Sequence, residues 1–290
     1  MSRTFLYRGP LASCNYDCAY CPFSKHRSSR QELARDRRGV ERFASWIADH
    51  PSQPTGILFT PWGEALIRRW YRRAMIDLSH LGHVERVAIQ TNLSCELEWL
   101  AQADLRTLAL WVTFHPSQTT LAQFLGRCGR LDALGVRYSV GIVGLRENVA
   151  IAEDMRRQLA TGVYLWVNAY KSAGSGYYDP ASLAAFTAID PLFPINNRNH
   201  PSAGRACQTG ASVFSVDGDG EVRRCHFVDE RLGNLYDQPV ADLATRRPCP
   251  QATCGCHIGY VHLDHLGLGS VFAGGLLERI PALRVAQACA

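Results

Sequence analysis

Three cysteines stand close together near the start of the chain, in the stretch CNYDCAYC. Cys14, Cys18 and Cys21 are separated by three and then by two residues. Three thiolates so close in sequence can hold one iron–sulfur cluster, whereas a closed structural zinc site needs four ligands. The spacing therefore predicts a cluster with one iron left open for a cofactor. A zinc site completed by a fourth ligand from elsewhere in the chain is the alternative.

A second group of cysteines lies in the last third of the chain. Its members are Cys207, Cys225, Cys249, Cys254 and Cys256. We expect metal ligands rather than disulfides, because the first residues contain no apolar signal segment and a cytoplasmic location is therefore predicted. Four or five cysteines suit an iron–sulfur cluster or a zinc site. A zinc ribbon is the rival interpretation, and His226 or His257 in place of a thiolate is a further one.

The remaining cysteines are isolated, and we interpret each as a small buried hydrophobe. They are Cys95, Cys128 and Cys289. The net charge of +5 comes with long arginine runs, and only two basic residues are lysines. These runs predict solvated helix faces more readily than a nucleic-acid surface, with a docking patch for an acidic partner as the alternative. No apolar run is long enough for a membrane span.

The elements that position the first cysteines alternate between strands and helices. Short apolar runs predict strands at 4–9, 56–60, 84–91, 107–114, 136–143 and 163–168. Amphipathic stretches predict helices at 29–50, 65–81, 95–103, 118–134, 147–160 and 181–189. Near-continuous apolar strands alternating with helices predict an α/β fold, a partial (β/α)6 TIM-like barrel over residues 1–195. Because the loops after parallel strands form the active face, Cys14 to Cys21 belong at that face.

A smaller cysteine-rich α+β module is predicted at 206–265, after the polar linker 195–205. Its opening, VFSVDGDGEVRRC, places an Asp-Gly-Asp-Gly turn between two alternating runs, which is typical of a hairpin. The tail 266–290 is rich in glycine and leucine and is predicted to pack on the body of the protein.

The first motif resembles that of the radical S-adenosylmethionine (SAM) enzymes: C-x3-C-x-aromatic-C with Tyr20, after the first strand of a six-unit barrel. The resemblance implies a 4Fe–4S cluster on Cys14, Cys18 and Cys21, SAM bound to its open iron, and Tyr20 near the adenine. TPWGEAL is similar to the family's Gly-Gly-Glu-Pro-like turn, which receives the SAM ammonium. Gly63 and Glu64 match, whereas Trp62 and Ala65 depart from the pattern.

Later strands supply weaker matches. VGIVGLRE fits the family's adenine-packing segment at Ile142, Gly144 and Glu147. By the same resemblance, Asn92 and Asn168 offer polar groups to SAM. The substrate candidates are His115, Tyr177 and Tyr178, and a structural role for His115 is equally open.

The second cysteine group is similar to the SPASM or shortened "twitch" extension of radical SAM enzymes. Cys207 and Cys225 enclose Gly220 as C-x12-G-x4-C, followed by LGNLYD. The resemblance implies one auxiliary 4Fe–4S cluster. The usual C-x2-C return is replaced by C-x4-C-x-C, so the five cysteines fit one cluster with a spare thiol, and which two of Cys249, Cys254 and Cys256 bind stays open.

The resemblance implies an oxidoreductase or maturase that is reduced by a flavodoxin or ferredoxin. By the same resemblance, SAM would be cleaved to a 5′-deoxyadenosyl radical, which would abstract hydrogen from a peptide or natural product during oxidation or cross-linking. No catalytic side chain is assigned. With no leader-binding domain before the first strand, a peptide substrate implies direct docking or a separate recognition protein. The alternatives are a small-molecule oxidase acting on a sugar or cofactor precursor and a zinc-stapled binding protein; a glycyl-radical activase fits poorly.

Overall fold

The structure is a computed structural model that describes residues 2–23, 26–174 and 176–282. Cys289 and the last part of the predicted tail lie outside the described residues. Lys25, in the first arginine-rich run, and Ser175, beside the two candidate tyrosines, lie outside them as well.

Six strand–helix units make up the first two thirds of the chain. The strands are β1 (Arg3–Arg8), β2 (Thr55–Phe59), β3 (Val84–Thr91), β4 (Leu108–Phe114), β5 (Arg137–Gly144) and β6 (Leu165–Ala169). The helices are α1 (Arg30–Asp49), α2 (Arg69–Ser79), α3 (Leu121–Leu134), α4 (Val149–Gln158), α5 (Pro180–Ile189) and the short α6 (Phe193–Asn196). All six predicted strands are confirmed, with ends shifted by a residue or two.

The last third of the chain consists of shorter elements. These are β7 (His200–Pro201), β8 (Val213–Asp217), β9 (Glu221–Cys225), β10 (Val228–Asn234), α7 (Val240–Leu243), β11 (Thr253–Cys254), α8 (His257–Tyr260) and α9 (Leu268–Phe272). β11 pairs with β7 in a small sheet of its own, with Cys254 opposite His200.

One large sheet runs through both parts of the chain, in the order β10-β9-β8-β1-β2-β3-β4-β5-β6. The six strands β1 to β6 are parallel, which confirms the α/β class and the partial barrel. β8 joins the free edge of β1 in parallel, with Thr4 opposite Val213. β9 and β10 continue the sheet as antiparallel strands, and β8 and β9 form the predicted hairpin.

Local sequence explains where several helices begin. Ser29 caps α1 and Glu32 returns the hydrogen bond, so both halves of a capping box are present. Thr120 and Gln123 do the same for α3. Asp179 caps α5 just before Pro180.

The third predicted helix, at 95–103, is wrong for most of its length. Only a 3-10 turn, Glu98–Gln102, forms there. The guanidinium of Arg127 donates hydrogen bonds to the carbonyls of Leu93 and Cys95 (3.1 and 2.8 Å). Because Cys95 would otherwise accept the first helical hydrogen bonds, this long-range contact replaces the start of the helix.

The two faces of the sheet bury different cores. The outer face packs against the helices, and this core includes Cys95 and Cys128, both buried as predicted. The inner face carries Leu6, Leu58, Ala88 and a pair of tryptophans, Trp111 and Trp166. The tryptophan rings meet edge to face, 5.6 Å apart between centroids.

The segment around Glu278, near the end of the described residues, packs against the inner face of the sheet. The carboxylate of Glu278 is fully buried; it pairs with Arg137 and lies 3.5 Å from Nε of Arg86. The backbone carbonyl of Glu278 also accepts a hydrogen bond from the Ser139 hydroxyl (2.5 Å). These contacts attach the segment to β3 and β5. None of the helices within the described ranges is long and apolar enough to cross a membrane.

Trp166 has its place because β5 carries a glycine opposite it. A Cβ atom on Gly141 would lie 2.1 Å from the Trp166 ring. We therefore expect Gly141→Ala to lower the free energy of unfolding by about 1–3 kcal/mol, since overpacking displaces the ring. Gly82→Ala is the control, because nothing lies within 4 Å of its Cβ position. Urea unfolding measures the stability of both variants. An unchanged midpoint for Gly141→Ala would contradict the prediction, since it would show that the Trp166 ring moves aside without loss of stability.

Candidate functional site

A cavity of about 400 Å³ opens at the carboxyl ends of the barrel strands. The residues at or just after these ends line it: Arg8 from β1, Glu64 after β2, Asn92 after β3, His115 after β4, Val143 from β5 and Asn168 from β6. Parallel strands bring their carboxyl ends to one edge, and the cavity occupies that edge. The structure thus brings together five of the predicted site residues from the barrel: Gly63, Glu64, Asn92, His115 and Asn168.

Cys14, Cys18 and Cys21 line the same cavity. The Cys14 thiol accepts a hydrogen bond from the backbone N–H of Tyr16 (3.4 Å). Burial raises the pKa of the Cys14 thiol. The ten cysteines within the described residues form no disulfide with one another. The loop therefore presents three thiols to one enclosed space.

Gly63 is required by a close approach of two loops. A Cβ atom at this position would lie 1.9 Å from the backbone oxygen of Ser13, the residue before Cys14. No side chain fits there without displacement of the cysteine loop. Trp62, which departs from the family pattern, turns outward; its ring contacts Phe23 at 4.7 Å and the guanidinium of Arg8 at 4.9 Å.

The carboxylate of Glu64 is buried beside the cysteine loop, at 2% exposure. It accepts hydrogen bonds from the backbone N–H of Asn92 (2.6 Å), the Thr91 hydroxyl (2.8 Å) and the backbone N–H of Leu66 (3.0 Å). Burial raises the pKa of Glu64 to about 7, against the lowering effect of these three donors. A neighbouring cation would favour the ionised form.

Asn92 and His115 flank the cysteines. The Asn92 amide lies 3.8 Å from Sγ of Cys14 and donates to Oδ1 of Asn15 (3.2 Å). Nδ1 of His115 lies 2.8 Å from the Tyr20 hydroxyl and 3.4 Å from Sγ of Cys18. The Tyr20 and His115 rings stack at 6.0 Å. Burial lowers the pKa of His115 to about 4, so the imidazole is neutral near pH 7.

Other predicted residues lie away from the cavity wall. Ile142 and Gly144 are buried, Ile142 in the helix-side core. Glu147 is exposed in the turn after β5. Tyr178 donates to the carbonyl of Gly144 (2.7 Å), and the Tyr177 hydroxyl accepts from the backbone N–H of Arg146 (3.1 Å). Their contacts with cofactor or substrate remain predictions.

The five late cysteines lie near one another. Burial raises the pKa of Cys254 to about 12. The negative charges of the thiolates of Cys225, Cys256, Cys249 and Cys207 contribute to this increase, because these groups are close enough to Cys254 to repel its thiolate. Cys256 also lines the large cavity. One member of the second group therefore borders the same cavity as the three N-terminal cysteines. In the described part of the chain, no three His, Cys, Asp or Glu side chains converge on a single-ion site.

Several cavity residues were missed by sequence reasoning. They are Arg8, Gln90, Trp111, Trp166, Phe227 and Arg279, together with His226 and His257 in a role other than ligand. Alternation along the strands is a signal that finds some of these: Arg8 is two residues after the inward Leu6. Arg279 follows no such pattern, because it lies outside the strands, in the C-terminal segment that Glu278 attaches to β3 and β5.

No protein-family model and no curated protein sequence matches the chain. Among solved structures, native anSMEcpe with bound AdoMet (SAM) and the Cp18Cys peptide is 14% identical, with 84% of this chain and 80% of that chain covered and a TM-score of 0.55. Hexahistidine-tagged anSMEcpe with bound AdoMet has the same identity and coverage and a TM-score of 0.57. Streptococcus suis SuiB bound to S-adenosylmethionine is 14% identical at a TM-score of 0.50, with 81% of this chain and 64% of SuiB covered.

These similarities show that the chain has the fold of radical SAM enzymes. The expected class of fold is confirmed.

The buried Glu64 carboxyl generates a pH-dependent prediction for the metal-free protein. Its folded-state pKa lies above its ordinary value of 4.5, so the folded protein holds the proton more tightly than the unfolded chain does. Stability present below pH 4.5 is then lost as the pH rises toward 7, by up to about 3 kcal/mol. We expect urea unfolding to show wild type losing stability relative to Glu64→Gln across that window. A difference independent of pH would contradict a buried, proton-holding Glu64.

Proposed function

We propose that the protein is a radical SAM enzyme with a 4Fe–4S cluster on Cys14, Cys18 and Cys21. The observation that carries the proposal is the convergence of these three thiols and the buried Glu64 carboxylate on one cavity. The fold of known radical SAM enzymes supports it. The donor set fits the group: three thiols supply the ligands of a cluster that keeps one iron open.

The chain's own residues have distinct tasks in this proposal. Cys14, Cys18 and Cys21 hold the cluster, and Glu64 accepts the ammonium of SAM. Asn92 supports both, since it contacts the Cys14 thiol and donates its backbone N–H to Glu64. When bound, the cluster and SAM supply a 5′-deoxyadenosyl radical that abstracts hydrogen from a substrate. The cavity walls keep water from the reacting carbon.

We assign the late cysteines to an auxiliary 4Fe–4S cluster. Their mutual proximity and the position of Cys256 in the cavity wall support this assignment. Cys207 and Cys225 are two ligands, and two of Cys249, Cys254 and Cys256 complete the set. Such a cluster would accept an electron from the substrate or ligate it, which makes the net reaction an oxidation or a cross-link.

A peptide is the proposed substrate class, with a sugar or cofactor precursor as the alternative. One of the similar structures, native anSMEcpe, contains a bound peptide. The cavity rim supports the choice, because three half-exposed aromatic rings, Phe23, Trp62 and Phe227, border it. A flavodoxin or ferredoxin would supply the electron, and a separate recognition protein would present the peptide if direct docking does not. We place the protein in the cytoplasm, where thiols stay reduced.

Iron and sulfide content after anaerobic reconstitution tests the first cluster. We expect about eight irons in wild type and about four in the Cys14/Cys18/Cys21→Ala variant, with 5′-deoxyadenosine formed from SAM and dithionite by wild type alone. Cys128→Ala is the matched control, because this cysteine is buried in the helix-side core. Zinc without sulfide, or no 5′-deoxyadenosine from fully loaded protein, would overturn the radical SAM assignment.

Single substitutions test the auxiliary site. We expect Cys207→Ala and Cys225→Ala each to lose about four irons while the first cluster remains. Among Cys249→Ala, Cys254→Ala and Cys256→Ala, two should behave in the same way and one should keep its iron. Electron paramagnetic resonance of the reduced proteins separates the two clusters. Full iron content in all five variants would contradict an auxiliary cluster held by this group.

A further inference from the structure

A charged side chain lies at the inner end of the cavity, away from the cysteine loop. Arg279 is 3% exposed and lines the cavity. Its guanidinium carbon lies 4.4 Å from the ring centroid of Trp166 and 5.6 Å from that of Trp111. The cation is therefore held against two aromatic faces that also border the cavity.

The guanidinium has no anionic partner within residues 2–23, 26–174 and 176–282. It forms no ion pair within 4.0 Å and donates no hydrogen bond there. The charge of Arg279 interacts with the Asp190 carboxylate without direct contact. That carboxylate already accepts hydrogen bonds from the Tyr164 hydroxyl and the backbone N–H groups of Val167 and Leu192. A buried cation with unused donors is costly unless an anion compensates it.

The backbone holds Arg279 in this position. Its neighbour Glu278 is fixed by Arg137, Arg86 and the Ser139 hydroxyl. Arg279 itself has φ +57°, in the left-handed region that costs an ordinary residue free energy. The fold thus accepts backbone strain to place at the cavity a guanidinium that has no direct ion pair within the described residues.

A second donor lies beside the same tryptophan. The His257 ring meets Trp111 edge to face at 5.4 Å and lines the cavity. The Tyr260 hydroxyl accepts from the Asn196 amide (3.0 Å) and lies 3.2 Å from Nδ1 of His257, to which it can donate its own proton. The proton of the neutral ring is then on Nε2, which is buried and has no hydrogen-bond partner within the described residues.

We propose that Arg279, with His257 beside it, forms a subsite for a carboxylate of the substrate, whose carbon skeleton lies against Trp111 and Trp166. The planar guanidinium fork matches a carboxylate in two-point geometry. The inference rests on the proposed function for the identity of the ligand as substrate. Its chemistry is shared by two sources: an acidic side chain within a peptide and a free C-terminal carboxylate.

Two other tasks for Arg279 make different predictions. As a counter-ion of Asp190 it would matter for folding alone. As a neighbour of Cys256, whose thiol it influences, it would change the auxiliary cluster. Neither task gives a preference for carboxylate over amide ligands.

The test is a titration of defined tripeptides into the protein, as purified and after reconstitution with SAM. Acetyl-Gly-Glu-Gly-amide is compared with acetyl-Gly-Gln-Gly-amide, and acetyl-Gly-Gly-Gly with its amide; tryptophan fluorescence and calorimetry measure binding. We expect one carboxylate peptide to bind at least about tenfold more tightly than its amide partner. Which pair shows the preference identifies the source of the carboxylate.

The variants are Arg279→Met, Arg279→Lys and Arg279→Asn, the last because asparagine tolerates the left-handed backbone. We expect Met and Asn to abolish the preference and Lys to keep part of it. Arg157→Met, which removes an exposed arginine from α4, is the matched control and should keep the full preference.

Equal binding of carboxylate and amide peptides by wild type would overturn the subsite, and so would loss of SAM binding in Arg279→Lys with both clusters intact. A carboxylate preference in protein that fails to cleave SAM would leave the subsite standing and remove the radical SAM function. The two failures are therefore distinguishable.

Discussion

The buried carboxylate of Glu64 holds the site together. It ties the loop after β2 to the end of β3 through Thr91 and Asn92, and Asn92 in turn reaches the Cys14 thiol. The adjacent Gly63 permits this arrangement, because the backbone before Cys14 passes where a side chain would be. Three loops from three parallel strands are thereby joined around one acid. Burial raises the pKa of this acid to about 7, and a cation beside it would favour the ionised form, so its charge depends on what binds beside it.

Much of this architecture could be predicted from local sequence. Apolar runs bounded by turns predicted all six barrel strands. The family resemblance and the positions at strand ends predicted Gly63, Glu64, Asn92, His115 and Asn168 as site residues, and all five line one cavity. The helix expected at 95–103 failed because Arg127, distant in sequence, occupies its first carbonyls. Ile142 shows a different limit: its motif says nothing about which face of β5 it occupies, and the neighbouring Val143 lines the cavity. Arg279 depends on ion pairs of Glu278 to two separate strands, and no local pattern encodes such pairs.

The cavity has unlike ends. One end carries the three N-terminal thiols and Glu64; the other carries Arg279, His257 and two tryptophans, with Cys256 in the wall. A molecule that spans the cavity would meet thiols, an acid and Arg8 at one end and Arg279 between two tryptophans at the other. This difference between the ends would give a bound ligand one preferred orientation, which the proposed chemistry at a single carbon would require.

The continuity of the large sheet has a consequence for how the chain is made. β1 is synthesised first, yet one of its two edges is completed only by β8, with Thr4 opposite Val213. Until some two hundred further residues have been synthesised, the backbone N–H and C=O groups of that edge stay unpaired and can bind another exposed strand. Pairing over so long a separation is slow, because the loop must close before the contact contributes. The last third of the chain therefore covers the exposed edge of β1. A nascent barrel that lacks this part is more prone to aggregation than the complete fold.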